Sequence, residues 1–404
     1  MKNSKDIIQG EPMDLLHTVA LKEMYPIVSC LIQFSTPINV DRLKQAIELV
    51  GKQIPEIFCS YNPSKNQWVY PKKPYKIIEL LNKSSDFLKQ PINFLEDSQL
   101  KIFIKNGSKP TIYIVMNHML TDGSGFKQFL YLLADSYNQQ QNIEARNDRS
   151  CDVIVESLLK NKYNYRSKMN LPNHSLMMPF TKGTVLKRII DYVDISKENF
   201  LKIHQKAKLN SLTINDVIMA SYIIEIAQRT NLKKVPLPCP VDLRQFAPQK
   251  TLSIANLTGE YSLLISVDLE DDLTTIAKRI HQQMISQKKQ RSFLQAIPKL
   301  RLIYHKLPTS LVRWIISKNY HVQSVSYTNF GILNSNFYFK GSPIEHCTLT
   351  GSFRKIPQFQ VAVSTYMQKC TLSFCMIGDS LNQVEGHGII SNIISRLEKW
   401  SKKR

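Results

Sequence analysis

His118, Asp122 and Gly123 stand together in the string HMLTDG, and these residue types at this spacing can carry proton-transfer chemistry. A histidine on a rigid strand end is a natural general base near neutral pH, because its unperturbed titration falls close to the working range. An aspartate four residues on lies beyond the turn, so it is not the same strand's next neighbour on that face. It can brace the turn, by accepting from backbone N–H groups or by pairing with a distant arginine. Gly123 permits a positive φ or a close backbone approach. Taken alone, the window also fits a satisfied core histidine followed by an ordinary turn.

The flanking sequence says what positions these residues. Residues 111–116 are an apolar, β-branched run, which predicts a buried strand. Asn106 and Gly107, after a shorter apolar run at 100–104, predict a hairpin. Beyond the motif, Phe126, Phe129, Leu130, Leu133 and Tyr137 recur at helical spacing. His118 is therefore expected where a strand ends and a helix begins. Polar groups placed there reach a cleft while the strand behind holds them still.

The string HMLTDG resembles the HHxxxDG signature of the condensation-domain and chloramphenicol-acetyltransferase-like superfamily. Other segments agree in the right order. Residues 19–30 followed by 39–48 are similar to the family's opening strand and first helix. The segment from Ser211 to Ala220, with Thr213, Asn215 and Asp216, resembles its TxNDVxxA helix start. Asp242, Leu243 and Arg244, followed by Asn256 and Gly259, resemble its DLR…NxxG segment. Ser326, Thr328, Asn329 and Gly331 resemble its SxTNxG strand. The match spans nearly the whole chain. One departure stands out: Asn117 occupies the place of the family's first histidine, while His118 keeps the second, to which the family's catalytic role is usually assigned.

The resemblance implies an α/β fold of two similar lobes, with mixed sheets flanked by helices and an active-site tunnel between them. It implies acyl transfer from a coenzyme A or carrier-protein thioester to a hydroxyl or amine acceptor, with His118 as general base. No cofactor is tightly bound on this reading; acyl-CoA or a phosphopantetheine thioester is a co-substrate. It implies that Asp122 points away from substrate and pairs with Arg244. Oxyanion donors would come from the Gly123 N–H and from Asn329, Ser364 or Thr365, and Asn117 would support the site. Two other readings accompany it. One is a condensation-type peptide or ester bond former in nonribosomal peptide biosynthesis; the other is a non-catalytic relative that binds a carrier protein.

Composition sets outer bounds. The 404 residues are 43% hydrophobic and 21% charged, which fits a globular protein of two lobes and argues against disorder. No apolar run approaches the roughly 20 residues that a membrane span needs, and the N-terminus lacks the apolar core of a signal peptide. Seven cysteines without CxxC pairs predict reduced, buried thiols in the cytoplasm, not disulfides or a zinc site; a monomer is expected. His305, His321, His346 and His387 show no metal-ligand spacing. The net charge is +21, spread in short clusters without a nucleic-acid-binding arm. It is either a solvated basic surface or an attraction for an anionic partner such as coenzyme A or an acidic carrier protein.

Along the chain, a first lobe over 1–160 carries the motif, 161–184 is a basic linker, and 185–404 forms the second lobe. Expected helices include 40–54, 212–227, 272–287, 381–400 and a stretch at 294–317 broken at Pro298 and Pro308. Strands are expected at 186–193, 261–267, 324–330, 359–367 and 370–377, with an edge or irregular strand at 235–241 stiffened by Pro236, Pro238 and Pro240. His17 is a candidate to line the tunnel, with a surface or core role preferred.

Overall fold

A computed structural model describes residues 6–141, 146–160, 176–183, 185–247, 251–291, 294, 296–320 and 323–403. Most of the linker expected at 161–184 lies outside the described residues, as does His321.

The histidine strand, Thr111–Asn117, is the centre of a five-stranded sheet. The order is Ile344–Thr350, Ile27–Phe34, Thr111–Asn117, Leu100–Lys105 and Ile78–Leu81. All pairings are antiparallel except the last. Lys105 pairs with Thr111, so the Asn106-Gly107 hairpin forms, with residues 106–110 as its loop. From Ile112 onward every residue of the strand is buried, because both faces are covered. Ile112, Ile114 and Met116 pack with Leu43 and Val50 of helix Val40–Gln53 and with Phe126 and Leu130 of helix Gly123–Gln139. Tyr113 and Val115, on the other face, pack with Phe353 and Cys375 of a second sheet. A strand covered on both sides has no polar face, which is why its sequence is a continuous apolar run.

The second sheet is built around Lys369–Gly378. That strand pairs antiparallel with Phe359–Tyr366 and Lys187–Ile195, and parallel with Phe353–Lys355. Phe359–Tyr366 in turn pairs parallel with Val325–Leu333. Its helices include Ile214–Thr230, Leu273–Gln290 and Ser380–Lys402, whose Tyr222, Ile226, Ile280, Ile389 and Leu397 share a core with Val361, Leu372 and Phe374. The architecture is α/β, two mixed sheets each flanked by helices. The two sheets also exchange strands. Ile344–Thr350 completes the first sheet, while Met24–Tyr25 pairs with Phe353–Lys355 at the end of the second.

Two elements differ from the sequence reading, while a third, the proline-rich strand, is the edge strand expected. The opening strand starts later, at Ile27; Pro12–Val19 is a 3-10 helix with Pro12 in its first turn. Pro26 has no N–H to give to a ladder, and Met24–Tyr25, just before it, joins the other sheet. The stretch at 294–317 divides into Ala296–Lys306 and Thr309–Asn319 at Pro308, whereas Pro298 stays within the first turn, where its missing N–H has no helical partner. The proline-rich strand runs unbroken from Lys234 to Asp242 against Thr258–Ser266. Its three prolines alternate, so their N–H-less nitrogens all face one edge, and a two-stranded sheet leaves that edge unpaired.

Candidate active site

His118 is the first residue past the strand, and its backbone is held firmly. Its N–H donates to the Pro26 carbonyl at 3.0 Å. Its carbonyl accepts from Asn256 Nδ2 at 2.8 Å, and the same amide donates to the Met119 carbonyl at 2.8 Å. The imidazole is partly exposed, with Nδ1 enclosed and unpartnered among the described residues. Burial pulls its pKa down; its own carbonyl, Asp122 and Asn256 oppose that shift, while Arg354 adds to it.

Asp122 is the N-cap of helix Gly123–Gln139, where its Oδ1 accepts from the Gly125 N–H at 2.8 Å. An acidic N-cap fits both the orphan donors and the dipole of a helix start. Its other oxygen, Oδ2, accepts from Arg244 Nη1 at 3.0 Å, Leu257 N–H at 2.7 Å and Thr258 Oγ1 at 2.8 Å. The residue is 1% exposed. Burial alone would raise the carboxyl's pKa, but Arg244 and the two N–H donors overcome it and hold the group below its ordinary range. Arg244 is aimed by its remaining bonds, to Asp242 Oδ1 and to the carbonyls of Ser253 and Ala255. The DLR…NxxG segment thus clamps the HxxxDG turn through Arg244, Asn256, Leu257 and Thr258.

Asn117 is fully buried and belongs to the scaffold. Its Nδ2 donates to Gln99 Oε1 at 2.6 Å and its Oδ1 accepts from the Met119 N–H at 3.0 Å, which closes the turn that presents His118. Gly123 opens the helix, and a Cβ there would fall 2.8 Å from the Phe330 ring. Strand Val325–Leu333 is tied to helix Ile214–Thr230 by Asn215, whose Oδ1 accepts from Tyr327 Oη and from Asn329 Nδ2. Asn329 is exposed. Ser364 is buried, and its Oγ accepts from the Leu349 N–H at 3.3 Å, stitching the two sheets together. Thr365 is buried and pairs across the strands with Cys370. None of these three is hydrogen-bonded to the His118 turn among the described residues.

Two residues stand at the site without a signal in the motif. His17, near the end of the 3-10 helix, brings its ring within 4.1 Å of the His118 ring, centroid to centroid. Its Nδ1 is enclosed and unpartnered. Burial, together with His118 and Arg354, keeps its pKa well below the ordinary histidine value. Arg354, on the short strand Phe353–Lys355, is 6% exposed, and its charge bears on both imidazoles. Among the described residues no group of three or more His, Cys, Asp or Glu side chains could hold a metal, and no helix is long and apolar enough to cross a membrane.

No family model matches the chain, and no curated protein matches it by sequence. Solved structures do. Polyketide synthase associated protein 5 from Mycobacterium tuberculosis superposes with a TM-score of 0.68 at 15% identity, over 97% of this chain and 96% of that one. The first condensation domain of the calcium-dependent antibiotic synthetase gives 0.64 at 10%, over 99% and 97%. Trichothecene 15-O-acetyltransferase from Fusarium sporotrichioides gives 0.63 at 14%, over 97% and 95%. The chain therefore has the fold shared by condensation domains and chloramphenicol-acetyltransferase-like acyltransferases, along its whole length.

Proposed function

We propose that the protein is an acyltransferase, moving an acyl group from a coenzyme A or carrier-protein thioester to a hydroxyl or amine acceptor with His118 as general base. The observation that carries this reading is the clamp on the HxxxDG turn. A histidine with a fixed backbone and a partly open, neutral imidazole is prepared for proton transfer, not for packing. Nδ1 is enclosed, which leaves Nε2 as the nitrogen to accept a proton.

In the proposed step Nε2 removes the acceptor's proton as the oxygen or nitrogen attacks the thioester carbonyl. The tetrahedral intermediate collapses by breaking the C–S bond, and the imidazolium returns the proton to the departing thiolate. The Gly123 N–H at the helix start, with Asn329, Ser364 or Thr365, would supply donors to the oxyanion. Asp122 and Arg244 act through the turn and are positioning residues. Condensation-type peptide or ester formation would use the same step with carrier-bound partners.

Thiol release from a panel of acyl-CoAs, with mixed alcohol and amine acceptors, tests the reading. His118→Ala is expected to lose about 10²–10⁴ in rate. Undiminished release in the variant, or no release from any CoA or carrier-bound thioester by the wild type, would remove it.

A further inference from the structure

Near His118 several buried polar atoms have nothing to bind among the described residues. Arg354 Nε and Nη1 have no hydrogen-bond partner among the described residues; neither does the Tyr222 hydroxyl, His17 Nδ1 or His118 Nδ1. Arg354 keeps one weak bond, from Nη2 to Ser326 Oγ at 3.3 Å. At least three of its five N–H donors are therefore unmet among the described residues. Tyr222 is fully buried; Tyr320, Tyr222, Glu23 and Glu260 all bear on the Arg354 charge, though Nε and Nη1 are hydrogen-bonded to none of them, and Tyr320 also meets the His17 ring edge-on. Burial brings the Arg354 pKa down to about 10, so the guanidinium is still charged at neutral pH.

A buried guanidinium whose donors meet no anion directly is unfavourable until one completes it. The proposed reaction creates an oxyanion only fleetingly, so that cannot satisfy Arg354 while substrate is bound. A carboxylate can, because it stays charged and matches guanidinium donors. We propose that Arg354, with the Tyr222 hydroxyl, forms a carboxylate-binding subsite beside His118, and that one of the two substrates carries a free carboxylate near its reacting group. The proposal rests on the acyl-transfer reading for the word substrate; the subsite itself does not.

Calorimetric binding to the full chain, with one ligand at a time, tests it through two matched pairs. An acceptor source is probed by 3-hydroxybutyrate against its methyl ester. A donor source is probed by the succinyl against the butyryl thioester of pantetheine. The charged member of one pair is expected to bind about tenfold or more tightly, a preference lost in Arg354→Met and kept in His118→Ala. The pair that shows it names the source. Equal binding or no binding within both pairs, or a preference that survives in Arg354→Met, overturns the proposal. The ligand-free Arg354→Met protein is expected to melt at or above the wild-type temperature, since a buried charge with unmet donors has been removed. A marked fall would assign Arg354 to the scaffold and overturn it as well. Activity retained by His118→Ala would defeat the general-base reading and leave the binding result standing.

Discussion

In the proposed reaction His118 works as a base only while neutral, and its burial favours that form. Its pKa lies below the ordinary 6.5, so the acid limb of kcat/KM is expected below pH 6.5; a limb above that value would contradict the assignment. The same shift makes stability depend on pH. His17 and His118 have folded-state pKa values below their unfolded ones, so the unfolded chain binds more protons on the acid side. Their contribution is fully present above about pH 6.5 and is lost as pH falls toward the depressed values. Denaturation midpoints across that range should show the decline, flattened in His17→Gln. Asp122→Asn leaves Arg244 with Asp242 as its remaining carboxylate partner, and an expected loss of about 1–3 kcal/mol in unfolding free energy follows, with the rate falling alongside. An unchanged midpoint and rate would remove the bracing role. His118, Asp122 and Gly123 were legible because they are contiguous, and Arg244 because it sits in a short motif. Tyr222 and Arg354 were not, since they are remote in sequence and become a group only in the fold; His17 was a candidate for the tunnel, but a surface or core role was preferred for it. Asn256 was visible as a motif letter, but its grip on the His118 carbonyl was not.

At the scale of elements, the start of helix Gly123–Gln139 has no room to grow. A Cβ on Gly125 would lie 2.3 Å from Thr121 Oγ1 and 3.0 Å from the Ala255 backbone. Backbone cannot move aside as a side chain can, so Gly125→Ala is expected to destabilise by about 1–3 kcal/mol. Gly107→Ala, in a hairpin loop with nothing within 4 Å of the new Cβ, should stay within about 0.5 kcal/mol of wild type. Equal effects in chemical denaturation would contradict this account of the packing. Elements with a strong period, such as Val40–Gln53 and the histidine strand, could be read from the chain. The late start of the opening strand could not, because Pro26 divides one apolar run between two sheets. Pro298 misled for a related reason: a proline breaks a helix interior but is tolerated in its first turn.

At the scale of the whole molecule, all seven cysteines are buried, and burial pushes the thiols of Cys59, Cys151, Cys239, Cys370 and Cys375 up to about 12. A thiol that is both covered and protonated is a poor nucleophile. The native protein should therefore react slowly with a thiol-specific chromophore, and denaturant should release the full complement of seven. Rapid labelling of the native chain would show that the packing is looser than described. The α/β class and the order of motifs were readable from the sequence, whereas the exchange of strands between sheets was not. Pairing between Ile27–Phe34 and Ile344–Thr350 leaves no local trace, because each strand looks like any apolar run.

That exchange has a consequence for how the protein is made. When Thr111–Asn117 leaves the ribosome, the neighbour of its partner strand is more than 200 residues from being translated. At typical elongation rates the delay is roughly 10–50 s. For that time the edge of Ile27–Phe34 has no cover, and a nascent chain with an open strand edge invites chaperones or a second nascent chain.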